Sequence, residues 1–110
     1  MTAPELDLSI VIPVYNERDN LVPLEGKLET ELSKLNISYE IILIDDGSVD
    51  GSPHIINSLK KNNPRLKLIR FGHNHGQSAA FAAGFKAARG KIFVTLDADM
   101  QNNPADIPLL

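Results

Sequence analysis

An α/β fold, a mostly parallel sheet of about four strands flanked by helices, is predicted by three observations. Short apolar runs recur along the chain, segments of helical period separate them, and polar clusters fall just after the runs. The near-continuous β-branched and aliphatic content of the runs fits parallel strands covered on both faces rather than one-sided hairpin strands.

The first run, LSIVIPV (8–14), precedes a segment near 17–35 in which Leu21, Leu24, Leu28, Leu32 and Leu35 recur at spacings of three and four, giving one apolar stripe. Asn16 is expected to cap this helix, and Glu17 to sit in its first turn, where the helix dipole favours an acid. The second run, YEIILID (39–45), ends in Asp45-Asp46-Gly47-Ser48. A second helix is expected near 53–62, with Ser52 or Asp50 as N-cap and Pro53 at an early helical position. The third run, LKLIRF (66–71), leads through GHNHG (72–76) to an alanine-rich helix near 76–88 that stops at Gly90. On it Ala80, Gly84 and Ala87 or Ala88 form a small-residue face suited to close packing on the sheet. The fourth run, KIFVTLD (91–97), completes the order βαβαβαβ, that of a doubly wound sheet. No repeat or low-complexity linker divides the chain. After Pro104 only ADIPLL follows, interrupted by Pro108, and the fourth strand lacks a further neighbour. Residues 1–110 therefore read as the N-terminal part of a larger domain, one that would leave an apolar sheet edge open if isolated.

Composition narrows the function. With 110 residues, 43% hydrophobic and 23% charged, the chain is ordinary globular material for one small domain. No stretch approaches the ~20 apolar residues of a membrane span, and no signal-peptide core follows Met1. The absence of cysteine excludes disulfides, thiolate metal sites and cysteine nucleophiles. A net charge of −3 without a basic stripe argues against a general nucleic-acid binder. There is no GxxxxGK[ST] loop, no GxGxxG after the first strand and no GxSxG elbow, so ATPase, dinucleotide oxidoreductase and serine hydrolase readings lose support.

In open α/β sheets ligands bind outside the carboxyl ends of the strands. Those ends here read YNE (15–17), DDGS (45–48), GHNHG (72–76) and DADMQ (97–101). In an extended chain Asp97 and Asp99 would face one side with backbones about 6.6 Å apart. Their repulsion, something like 2 to 3 kcal/mol, becomes attraction around a cation. Carboxylates are hard ligands suited to Mg²⁺ or Mn²⁺, and Gln101 could add an amide oxygen. Capping of a turn and of a helix begun at Asn103-Pro104 is the alternative, and the clustering of polar groups at one sheet edge favours the cation. Asp45 and Asp46 either start a turn or hydrogen-bond a nucleoside. Tyr15 either packs or stacks on a base. His73 and His75 lack the convergent partners that metal ligation needs. Gly76 either admits a ligand close to the backbone or merely starts the helix.

Taken together, SIVIPVYNE, EIILIDDGSVDGS, NHGQSAAFAAGF and LDADMQNNPADIP, in this order and spacing, resemble the N-terminal half of a family 2 glycosyltransferase with the Rossmann-like GT-A fold. The resemblance covers nearly the whole chain from Leu8, and is closest to the polyprenyl-phosphate branch, the dolichol-phosphate mannosyltransferases and undecaprenyl-phosphate aminoarabinose-type transferases. It implies that Pro13, Tyr15 and Glu17 line a nucleoside pocket, that Asp46 bonds the base with Asp45 in support, and that Asp97 lies by ribose and cation. It implies further that Asp97 and Asp99 are catalytic, holding Mg²⁺ or Mn²⁺ with Gln101 against the nucleotide diphosphate. A UDP- or GDP-linked sugar as donor, a polyprenyl-phosphate acceptor, inversion at the anomeric carbon and a cytoplasmic site at the membrane face follow from the same resemblance. A polysaccharide synthase of this fold, or a non-catalytic nucleotide-binding fragment, shares the visible motifs. Nucleotidyltransferases of sugar phosphates carry a glycine-rich basic loop where this chain has PVYNERDN, and receiver modules place their acids after the first and third strands instead.

Overall fold

The computed structural model describes residues 5–98. Strand β1 (Leu6–Val14) is followed by helix α1 (Arg18–Leu32), β2 (Tyr39–Asp46), α2 (Ser52–Lys60), β3 (Leu66–Phe71), α3 (Gln77–Ala87) and β4 (Gly90–Thr95). All three strand pairings are parallel and the sheet order is β3-β2-β1-β4. The chain therefore winds outward from β1 through β2 to β3, then crosses back to place β4 on the other side of β1. The predicted α/β class, with a parallel four-stranded sheet flanked by helices, is the observed one.

Strand alternation sends side chains to two cores. Leu8, Ile10, Ile12 and Val14 of β1, with Ile41 and Leu43 of β2, meet Leu21, Leu24, Leu28 and Leu32 of α1 and Ile56 of α2. Each such leucine, fully buried, contributes about 1.5–3 kcal/mol. That burial offsets two poor helix residues within α1, Pro23 and Gly26. On the opposite face Val11, Ile42 and Ile44 meet Ala80 of α3. Gly84 lets α3 lie against the strands, since a Cβ there would stand 2.4 Å from Val11 Cγ1 and 2.9 Å from Ile44 Cδ1. The small-residue face read from the sequence thus packs as expected.

At the amino ends of the strands a buried polar cluster fixes the sheet. Glu40 Oε2 accepts from Ser9 Oγ (2.6 Å) and from Arg89 N (2.6 Å), Oε1 pairs with Lys67 Nζ, and Ser9 Oγ accepts from Gly90 N (2.8 Å). All four strands are joined in this way. Burial by itself would raise the Glu40 pKa, but the hydrogen bonds from Lys67, Ser9 and Arg89 and the Lys67 charge outweigh it and hold the carboxyl below its usual range. Glu29 of α1 performs a similar tie, accepting from Tyr39 Oη (2.9 Å) and Asn63 Nδ2 (2.7 Å).

Three expectations about element ends are corrected. Asn16 does not cap α1: it lies in the left-handed region at φ 54°, and its side chain reaches another loop. The N-cap of α2 is Gly51, with Ser52 already helical and donating its N–H to Asp50 Oδ1 at 3.0 Å. The fourth strand ends at Thr95 rather than Asp97, because its only partner among the described residues is β1 and the paired register stops at Val11–Thr95, with Leu96 N donating a last bond to Val11 O at 3.2 Å. Ala98 is in a turn; Asp99 and Gln101, which the sequence reading sets beside Asp97, lie outside the described residues. Along the outer side of β4, Ile92 (62% exposed) and Phe93 (48%) lie open, Phe93 stacking on Phe85 of α3 with ring centroids 5.8 Å apart.

Candidate functional site

The sheet order changes direction at β1, between β2 and β4, and a crevice is expected outside the carboxyl ends at such a switch point. A cleft of about 460 Å³ lies there, lined by Pro13, Val14, Tyr15, Glu17, Asp46, Asn74, Gly76, Gln77, Asp97 and Ala98. Of the described residues expected to bind nucleotide, Pro13, Tyr15, Glu17, Asp46 and Asp97 are brought together. Asp45 is not among the lining residues. Its register pairs it with Val14, and its neighbours in alternation, Ile41 and Leu43, face the α1 core. From there Asp45 Oδ2 accepts from Ser48 N at 3.1 Å, fixing that turn, while Oδ1 is buried with no hydrogen-bond partner among the described residues.

Asp46 faces the other way and anchors a wall. Its Oδ1 accepts from His75 N (2.7 Å) and its Oδ2 from Gly76 N (2.9 Å) and Asn74 Nδ2 (3.1 Å). Gly47, at φ 78°, admits the same loop, since a Cβ there would stand 2.4 Å from the His73 carbonyl carbon. Only glycine serves at that position, for conformation and for space. The loop then turns through Gly76 into α3, which has no side-chain cap, so its first turn of N–H groups opens beside the cleft. Gln77 and Asn74 are lining residues that the sequence did not single out for binding; their signal was position, just after the third strand. The rings of His73 and His75 pack at 4.2 Å between centroids, and the described residues hold no cluster of three or more acidic or histidine groups able to bind a metal.

The opposite wall carries Tyr15, about half exposed (49%), and Glu17. Glu17 Oε2 accepts from Asn20 Nδ2 at 2.6 Å. The N–H groups at the start of α1 are satisfied from the β2–α2 loop and the first residue of α2: Asn16 N donates to Ser48 Oγ (2.8 Å), Glu17 N to Ser52 Oγ (3.1 Å) and Arg18 N to Asp50 Oδ2 (3.1 Å). Burial raises the Asp50 pKa, but the bonds from Ser52 and Arg18 outweigh it and hold the carboxyl below its usual value.

A parallel α/β sheet with an acidic cleft at its switch point, in the arrangement of the GT-A Rossmann-like proteins, defines the class. Residues 9–110 match Glycosyl transferase family 2, and the chain belongs to that family. Among solved structures it is similar to the mannosyltransferase PcManGT from Pyrobaculum calidifontis in complex with GDP-Man and Mn²⁺ (25% identity, TM-score 0.71, covering 87% of this chain and 28% of that one). It is also similar in fold to S. aureus TarS in complex with UDP-GlcNAc (24%, TM-score 0.70, 84% of this chain and 26% of that one). Mannosyl-3-phosphoglycerate synthase from Rubrobacter xylanophilus shares the fold as well (20%, TM-score 0.73, 88% and 32%). The chain thus spans roughly a quarter to a third of the length of these proteins. Among the described residues no helix is long and apolar enough to cross a membrane.

Proposed function

We propose that the cleft binds the nucleotide of a UDP- or GDP-linked sugar, and that the chain is the donor-binding part of an enzyme passing that sugar to a polyprenyl phosphate. The observation that carries the reading is the convergence of Pro13, Tyr15, Glu17, Asp46 and Asp97 from three strand ends on one cleft. Tyr15 offers a ring face for a base, since aromatic stacking on bases is favourable and tolerant of base identity. Asp46 supplies an acceptor for base N–H groups, and Asp45 supports it through the Ser48 turn. Asp97 would stand by the ribose and the ion.

The donor set fits a hard divalent cation: carboxylates and an amide oxygen, in a chain without cysteine. Asp97, with Asp99 and Gln101, would hold Mg²⁺ or Mn²⁺, which when bound supplies positive charge against the departing nucleoside diphosphate. The GDP-Man and Mn²⁺ of the Pyrobaculum neighbour support both donor and ion. The polyprenyl-phosphate acceptor is supported by the resemblance of the four sequence motifs to the polyprenyl-phosphate branch of the family. Such a phosphate is already anionic, so its oxygen needs little help from a base. It bonds to the anomeric carbon as the bond from that carbon to the diphosphate breaks, from the opposite face and with inversion. A lipid acceptor implies a reaction at a membrane surface, and the family resemblance favours its cytoplasmic face.

Calorimetric titration with UDP and with GDP, each with Mn²⁺ and with chelator, tests the reading. Metal-dependent binding of one nucleotide is expected, and Asp99→Ala is expected to abolish it. Undiminished binding by that variant sinks the metal assignment, and no binding by the folded protein sinks the nucleotide reading.

A further inference from the structure

We infer that Asn16 is a positioning residue, which sets the Tyr15 rim of the cleft by tying it to the β2–α2 loop. The inference rests on the nucleotide reading above and names a residue outside the cleft lining. Among the described residues Asn16 is the one non-glycine with positive φ, at 54°. Side chains visit that region rarely, asparagine more readily than most, and such a conformation persists only where the surroundings over-determine it. The surroundings here are a reciprocal pair of bonds: Asn16 N donates to Ser48 Oγ at 2.8 Å, and Asn16 Oδ1 accepts from Val49 N at 2.8 Å.

The left-handed residue lets Tyr15 leave the sheet at the rim while Arg18 opens α1. The loop that holds it is itself held. It begins at Asp46, which grips the facing wall through His75 N and Gly76 N, and Gly47 abuts His73. A single loop therefore fixes both walls, and of the side chains that tie the α1 start back to it, with Arg18 Nη1 donating to Asp50 O at 3.3 Å, Asn16 is the one next to Tyr15. Its removal loosens the base-stacking side while leaving Asp97, the described residue to which the reading above assigns the ion and diphosphate, untouched on the β4 side of the cleft.

Two variants separate these effects. Asn16→Gly keeps the positive φ without strain but deletes the acceptor, whereas Asn16→Asp keeps both. The affinities of wild type and variants are to be measured for UDP, for GDP and for inorganic pyrophosphate, each with Mg²⁺, alongside melting temperature and amide exchange at Val49. The expected result is that Asn16→Gly loses about tenfold in affinity for the nucleotide that wild type binds, the scale of one base stack. Its pyrophosphate affinity stays unchanged and Val49 exchanges faster, while Asn16→Asp matches wild type in all three. A merely structural role would weaken nucleotide and pyrophosphate alike, and that outcome overturns the inference. So does unchanged nucleotide affinity in Asn16→Gly. Wild type that binds neither nucleotide overturns the underlying reading, and this inference with it.

Discussion

Asp46 accepts three hydrogen bonds from one loop, two of them from consecutive backbone N–H groups, and this sets what a conservative change there does. Asn in its place turns one acceptor oxygen into a donor facing N–H groups, leaving a buried donor unsatisfied at a cost of about 1–3 kcal/mol. Asp46→Asn is therefore expected to lower stability by that amount in urea denaturation and to loosen the 74–76 wall, seen as faster exchange at His75 and Gly76. Unchanged exchange would show that the carboxylate does not hold the loop. The two adjacent acids were legible in the sequence as a pair at a strand end. Their division of labour was not, because it follows from which face each side chain takes. Asp45 and Asp46 differ by one position, so alternation sends one to the Ser48 turn and the other to the cleft. Asn16 was misread for a related reason: its partners lie 32 and 33 positions away, beyond any local capping rule.

Element by element, the interiors were readable and the ends were not. The leucine stripe of α1 and the apolar strand runs carry their own periodicity, and their positions agree with the sequence reading to within a few residues. Helix starts depend on who accepts the first N–H groups, and for α1 those acceptors come from a different loop. β4 parts from β1 at Val11, three residues before β1 itself ends, and no local pattern marks that point. The contact that seats α3 on the sheet is Gly84 on Val11 and Ile44. Gly84→Ala is expected to destabilise by about 1–3 kcal/mol through overpacking, although alanine is the better helix former. Because α3 also delivers Gly76 and Gln77 to the cleft, the same variant should weaken nucleotide binding. A higher melting temperature would mean that the strands yield and the close approach is unnecessary.

Across the whole molecule, acid is expected to act on both ends of the sheet. Glu40 at the amino ends and Asp50 at the carboxyl ends have folded pKa values below their ordinary ones. As pH falls the unfolded chain takes up these protons first, so the stability they contribute is present above the ordinary carboxylate range and is lost as pH falls through the folded values. Glu40→Gln should start less stable at neutral pH, with the partner of Lys67 gone, and should lose stability less steeply between about pH 5 and pH 3. Parallel slopes for variant and wild type would exclude Glu40 as a source of acid lability. The lacing of the α1 start to the β2–α2 loop also orders events in time. A helix capped by its own sequence neighbours can form early, whereas this one draws its caps from side chains 32 to 35 positions downstream and cannot be finished until β2 has docked beside β1. In pulse-labelled refolding the amides of Asn16, Glu17 and Arg18 should gain protection no earlier than those of Ile41 to Ile44. The rim of the cleft then serves as a clock for the fold: a chain whose strands have not yet assembled lacks the cleft to which base binding is assigned in the proposal above.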